Sequence, residues 1–279
     1  MSTSAPDGSL PALTEVVRCL AATPSVAAVA LVGSRVAGGA DPGSDFDIFV
    51  YMRDDVGEVR SRMADDLADP AAWRSVGETA FGDGDVWRLR DSGDWLDLMY
   101  WPTAWGEGQL RRVLVEHTAS MGYSTAFWRS IRDARPLYER DGWHAELQAR
   151  ARQPYPEPLC RNIVRLNHPY LRDHPFSYRH QAAKAIERHD IVSVNHRVAA
   201  WLASYVDIVF AINHVLHPGE KRLLEHLARE CPILPDGLAS SVDRLVRVAG
   251  RAEPAVLDDM DRMVDGLECV LRREGLLPA

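Results

Sequence analysis

Lysine is nearly missing from this chain: of 32 basic residues only Lys184 and Lys221 are lysines, and the rest are arginine. In so arginine- and alanine-rich a composition the two survivors invite a reason, because a compact ammonium charge does what a planar guanidinium fork does not. Cysteine is sparse as well. Cys19, Cys160, Cys231 and Cys269 stand far apart with no C-x-x-C pair, which suggests neither a zinc site nor a disulfide framework and fits reduced thiols in a cytoplasm. The opening MSTSAPDGSLPALTEVV has no basic start and no apolar stretch of signal-peptide length, so nothing points to export and the cytoplasm is the expected compartment. The nearest approach to a membrane span, residues 198–216, is interrupted by Asp207, Asn213 and His214. Each is costly in lipid, so a buried core helix is expected and no membrane partner. A surplus of positive charge is also lacking: the formal net charge is −8 and the pI near 5.7. That argues against a protein that grips long nucleic acid, which needs cations to displace counterions, and favours a small substrate, even a cationic one. There is no G-x-x-x-x-G-K-[ST] and no His-Arg-Asp loop, which excludes the common ATPase and kinase plans.

What is present is 279 residues, 46% of them apolar, enough for one large or two ordinary domains. Apolar spacing predicts a helix over 13–22, buried strands over 26–32 and 45–51, and a helix over 54–67 that opens with acidic residues. Strands over 73–81, 86–89 and 95–101 follow, joined by GDGD and DSGD turns that suit an antiparallel meander. Helical patterns cover 104–117 and 142–152, while 126–138 fits either state. Three prolines in residues 153–158 break the helical pattern and set the expected boundary, with domains at 1–152 and 153–279. Beyond it the helical period dominates over 159–171, 178–189, 191–215, 219–231, 238–248 and 254–275. The expected fold class is α+β: a mixed β-sheet with helices, then an all-α helical bundle.

The chemistry concentrates in AVALVGSRVAGGADPGSDFDIFVY. Alternate residues of a strand share a face, so Asp45 and Asp47 point one way while Phe46 and Ile48 enter the core. Carboxylates so close repel by several kcal/mol at an effective dielectric of about 20 and are tolerable with a cation between them. A hard divalent ion such as Mg²⁺ takes such oxygens and completes its shell with substrate phosphates. Asp97, the single charge in the apolar strand WLDLMYW, is the third carboxylate, as ligand or as base, because a lone buried acid needs a partner. Glu78 is the reserve choice; Asp83, Asp85 and Asp94 sit in glycine turns, where an acid is usually solvated. Gly33 and Ser34 supply a phosphate cradle, the glycine by close backbone approach and the serine by its hydroxyl.

Gly33-Ser34, nine residues, then Ser44-Asp45-Phe46-Asp47, with Asp97 on a later strand, resembles the signature of the DNA polymerase beta-like nucleotidyltransferase superfamily over roughly the first hundred residues. Downstream, GDGDVWRLRDSGDWLDLMYW, ARQPYPEPL and IVFAINHVLHPGEK resemble bacterial proteins that join this catalytic domain to a helical C-terminal domain, the plan of aminoglycoside and lincosamide nucleotidyltransferases. The resemblance implies transfer of a nucleoside monophosphate, AMP from ATP first among the donors, to a hydroxyl of a small molecule. Two Mg²⁺ ions would be held by Asp45, Asp47 and Asp97, with Asp97 helping to deprotonate the acceptor and Ser34 holding the β- or γ-phosphate. Lys221, at a predicted helix start, is placed to reach the triphosphate; Lys184 and Arg35 are weaker candidates for the same duty. His180, His189 and His196 are candidates to line an acceptor cleft, although motif-free histidines are more often surface or core residues. The alternatives are an adenylyltransferase acting on a protein or an RNA, the latter hinted at by the arginines of 161–188, and a nucleotide-binding regulator. Nothing in the sequence decides the oligomeric state.

Overall fold

The computed structural model describes residues 10–36, 43–79 and 82–278. The export reading therefore rests on a stretch whose first nine residues lie outside the described residues, as does Phe81 at the end of the expected 73–81 strand.

Among the described residues, β1 (Val26–Val32), β2 (Phe46–Met52), β3 (Ser75–Val76), β4 (Gly84–Arg88), β5 (Trp95–Pro102) and β6 (Arg135–Glu139) form one mixed sheet. The strand order is β3-β4-β5-β2-β1-β6, with β2 and β5 parallel and the other neighbours antiparallel. All seven residues of β1, VAAVALV, are buried, the continuous apolar run of a strand covered on both faces. One sheet face presents Ile48, Val50, Leu96 and Leu98 to α1 (Thr14–Ala21) and α2 (Val59–Leu67), whose Val17, Leu20 and Met63 complete the core. The opposite face carries an aromatic cluster. There Phe49 meets Trp101 edge-on at 6.0 Å, and Trp101 stacks at 4.0 Å on Trp105 of α3 (Thr103–Leu114). Tyr51 packs at 5.0 Å on Trp143, the first residue of α5 (Trp143–Ala151).

Several elements differ from expectation for tertiary reasons. The stretch 126–138 divides into α4 (Ala126–Asp133) and β6, because the edge of β1 supplies a ladder that the sequence alone does not reveal. The expected 54–67 helix starts only at Val59, and the 73–81 strand shortens to Ser75–Val76 plus a Thr79–Gly82 bridge. Asp85, expected as a solvated turn acid, is a fully buried residue of β4. It binds Arg60 of α2 at 2.7 Å and accepts from the Tyr100 hydroxyl at 2.8 Å and the Gly77 amide at 2.9 Å. A buried carboxylate is stable only with such a complete set of partners.

The chain divides into two compact units, Met1–Arg111 with Trp128–Gln153, and Arg112–Phe127 with Pro154–Ala279. The second is helical: α6 (Glu157–Leu171), α7 (Tyr178–Glu187), α8 (Ile191–Ile212), α9 (Leu223–Glu230), α10 (Leu238–Ala249) and α11 (Ala255–Arg273). The long α8 is its axis, burying Trp201, Tyr205, Ile208 and Phe210. Segment 112–127 joins this unit through polar ties: Asp207 of α8 accepts from the Ser124 amide at 3.0 Å and hydroxyl at 2.7 Å, and Asn167 of α6 accepts from Gly122 N–H at 3.0 Å. Among the described residues no helix is long and apolar enough to cross a membrane. The helix expected over 219–231 is shorter, since Gly219 and Arg222 hold φ of +98° and +53° ahead of α9.

Candidate active site

The first unit assembles the site where β1 ends. There the chain turns through a single 3₁₀ turn, Gly33–Arg35, whose first residue has φ +73°. A Cβ at Gly33 would lie 2.1 Å from Oδ2 of Asp47, so any side chain there would force that carboxylate to move. The glycine thus brings the backbone of the turn directly against the carboxylate, and the leading N–H groups of such a turn have no acceptor within it. Ser34, partly exposed, follows immediately.

Asp47 sits opposite Val32 of β1 on one side and opposite Asp97 of β5 on the other. The two acids are register partners on adjacent parallel strands, so their side chains leave the same face of the sheet. Both are partly exposed between buried neighbours, Phe46 and Ile48 on β2, Leu96 and Leu98 on β5. Asp45 stands exposed just ahead of β2. Burial, and then the negative charge of Asp45, push the Asp97 carboxyl above its ordinary value. Its Oδ1 is buried with no hydrogen-bond partner among the described residues. The unpartnered buried oxygen of Asp97, with Asp47 as its register partner and Asp45 just ahead of β2, is a hard donor of the kind a divalent cation of the Mg²⁺ class takes.

Arg35 sits at the hinge of this arrangement. Its Nε donates to the carbonyls of Ser44 at 2.9 Å and Asp45 at 3.0 Å, Nη2 also reaches the Ser44 carbonyl, and the guanidinium lies 3.8 Å over the Phe46 ring. Nη2 further pairs with Asp94 at 3.3 Å. One side chain therefore ties the Gly-Ser turn that carries Ser34, the approach to β2 that carries Asp45, and the turn that leads into β5 and Asp97. Asp94 is a residue that turn chemistry alone does not single out, because its partner is far away in sequence. Glu78 is exposed, and its backbone carbonyl accepts from the Ser75 hydroxyl in the local turn.

The remaining candidates belong to the helical unit. Lys221 is exposed just ahead of α9 and Lys184 is exposed on α7. His180 is engaged at the start of α7, where its Nδ1 lies 2.8 Å from the Ser177 hydroxyl, while His189 and His196 are exposed.

A mixed sheet in which a Gly-Ser turn abuts aspartates paired on parallel strands resembles the plan of the polymerase beta-like nucleotidyltransferases. Residues 13–86 match the nucleotidyltransferase domain family. Asp97 lies beyond the matched segment and joins the site through the β2–β5 register. Among solved structures the chain is similar to a nucleotidyltransferase-like protein from Exiguobacterium sibiricum, at 14% identity and a TM-score of 0.43 over 96% of this chain and 76% of that one. No curated protein matches the chain.

Proposed function

We propose that the chain is a Mg²⁺-dependent enzyme that transfers a nucleoside monophosphate, AMP from ATP in the first instance, to a hydroxyl of a small molecule and releases pyrophosphate. The observation that carries this reading is the register pairing of Asp47 with Asp97 beside the Gly33 turn. Divalent ions held by Asp45, Asp47 and Asp97 would neutralise phosphate charge and stabilise the in-line transition state. The protein's own contribution is positional. Gly33 and Ser34 hold the β- or γ-phosphate, and Arg35 fixes the approach of Asp45. Asp97, whose carboxyl is raised by its setting, takes the proton of the acceptor hydroxyl as the new oxygen–phosphorus bond forms and the bond to pyrophosphate breaks. Lys221 is the proposed cationic contact to the triphosphate and Lys184 a secondary one; Arg35 is committed to backbone carbonyls.

A small acceptor, such as an aminoglycoside-like amino sugar, suits the net charge of −8. An RNA acceptor has less support, because two arginines of the 161–188 segment are neutralised within their own unit. Arg172 pairs with Asp265 at 2.5 Å and Glu268 at 2.8 Å, and Arg179 with Asp261 at 2.6 Å. A regulator that has lost catalysis has no reason to keep three carboxylates and the Gly-Ser turn.

The test is isothermal titration with non-hydrolysable ATP, GTP, CTP and UTP analogues, with and without Mg²⁺, beside an Asp45→Asn/Asp47→Asn control. Metal-dependent binding that disappears in the control supports the site. Incubation with the preferred triphosphate and a panel of hydroxylated acceptors should then give a product heavier by one nucleoside monophosphate. A folded wild-type protein that binds no triphosphate, with or without acceptors present, would sink the proposal.

A further inference from the structure

The helical unit contains a second cluster of metal-ligating side chains, remote in kind from the all-carboxylate site. Glu157 and Cys160 lie one turn apart on α6 and so share a face. His214 follows the C-terminal end of α8 in the left-handed region, φ +53°. Amide bonds from His214 to the Ala211 carbonyl at 3.0 Å and from Val215 to the Phe210 carbonyl at 3.0 Å close the helix in a Schellman motif. A glycine is the usual occupant of that position; here a histidine takes it, and its ring turns back onto the first turn of α6. A carboxylate oxygen of Glu157, the Cys160 sulfur and a His214 ring nitrogen all lie within 4.8 Å of one another.

We propose that Glu157, Cys160 and His214 form a binding site for a divalent cation of the zinc class. Sulfur, imidazole nitrogen and one carboxylate oxygen make a mixed borderline-soft set that suits Zn²⁺ and not Mg²⁺. Bonds of about 2.0–2.3 Å in a tetrahedral shell place ligand atoms roughly 3.3–3.8 Å apart, so from separations of up to 4.8 Å the cluster needs to contract by at most about 1.5 Å. Glu157 and His214, 49% and 47% exposed, lie at the surface where small side-chain movements make that adjustment, and the same exposure gives an ion its path in. Cys160, buried, forms the floor. Ligation by its sulfur releases the thiol proton.

The surroundings act as an outer shell. Arg161 holds Oε1 of Glu157 at 3.0 Å, leaving Oε2 to face His214 Nε2 at 3.2 Å. Tyr155 stacks on the imidazole at 5.1 Å and 9°, fixing its plane. Such contacts orient first-contact ligands in metal sites generally. Three protein ligands leave a fourth position for water, and the ion would clamp the start of α6 to the end of α8, just ahead of the 215–222 loop that carries Lys221.

The experiment is titration of the full, reduced chain with Co²⁺ followed by near-ultraviolet absorption, and with Zn²⁺ in competition with a chromogenic chelator. A cobalt–thiolate charge-transfer band at one Co²⁺ per chain, displaced by Zn²⁺ and lost in Cys160→Ser, is expected. Zinc binding should weaken at least about tenfold in His214→Ala and in Glu157→Gln, both at exposed positions and so usable even where Cys160→Ser does not fold. The Asp45→Asn/Asp47→Asn variant should keep the band, since those oxygens give none. A folded wild type without the band, a band that survives Cys160→Ser, or zinc affinity unchanged in both exposed variants would overturn the proposal.

Discussion

Gly33 stands so close to Asp47 that a Cβ at position 33 would lie 2.1 Å from Asp47 Oδ2. Gly33→Ala is therefore expected to act twice. Holding φ at +73° with a Cβ costs about 1–2 kcal/mol of stability, and the methyl group drives the Asp47 carboxylate out of register with Asp97. Thermal melts should show the first effect, and titration with Mg²⁺ and an ATP analogue should show binding nearly abolished. Ser34→Ala, which deletes one hydroxyl and displaces nothing, should lose only about 0.5–1.5 kcal/mol of binding. Equal losses in the two variants would mean that the turn holds phosphate through side chains alone.

Asp97 is held in a setting that opposes its own ionisation, by burial first and by Asp45 second. A carboxyl with a raised folded-state pKa contributes stability that is present at acid pH and is lost as pH rises through that pKa. Asp97→Asn removes the charge and keeps the shape. It should raise the melting temperature at neutral pH while lowering nucleotidyl transfer by roughly 10²–10⁴-fold, the range for a lost general base. Melts and turnover measured on one preparation decide this, and a variant that is both less stable and active would contradict the assignment.

Arg35 presents a choice between latch and phosphate contact. Its bonds to the Ser44 and Asp45 carbonyls and its stacking over Phe46 predict that Arg35→Ala loses about 1–3 kcal/mol of stability with no nucleotide present. Arg35→Lys should recover little, since a point charge does not reproduce the fork. A residue serving the triphosphate alone would give the reverse pattern: unchanged melts of the free protein, and binding partly rescued by lysine.

The carboxylates and the Gly-Ser turn were legible in the sequence because strand alternation and glycine punctuation are local. Asp45, Asp47 and the apolar strand around Asp97 announce themselves within a few residues. The β2–β5 pairing that makes Asp47 and Asp97 neighbours is not local, and neither is the pairing of Arg35 with Asp94 across 59 residues. Asp85 misleads for the same reason. Its GDGD setting looks like a solvated turn until Arg60 and Tyr100 arrive from other elements. Cysteine spacing likewise says nothing of the proximity of Cys160 to His214, which follows α8 and lies 54 residues further along the chain. In the helical half, the long apolar period of α8 was sufficient to place the core, whereas the left-handed residues ahead of α9 left no periodic trace.

Two buried groups, one in each unit, should answer pH with opposite signs. In the first, His144 is buried against Tyr51, with both ring nitrogens lacking hydrogen-bond partners among the described residues. Burial lowers it from 6.5 to about 4. Its contribution is thus fully present above 6.5 and is lost as pH falls towards 4, up to about 3 kcal/mol over that window. In the helical unit, burial raises Asp207 from 3.8 to about 7 against the opposing hydrogen bonds from Ser124 and the charge of Arg112. That contribution is present at acid pH and fades as pH climbs from about 4 through about 7. His144→Phe should remove the acid-side loss from the first unit, and Asp207→Asn, which keeps an oxygen for the Ser124 amide, should remove the neutral-side loss from the second. Hydrogen exchange read separately over residues 128–153 and 154–279 at pH 5 and pH 8 measures both. Protection in 128–153 should fall at pH 5 in the wild type but not in His144→Phe, and protection around α8 should fall at pH 8 in the wild type but not in Asp207→Asn. Identical pH responses in all three proteins would show that neither group governs the stability of its unit.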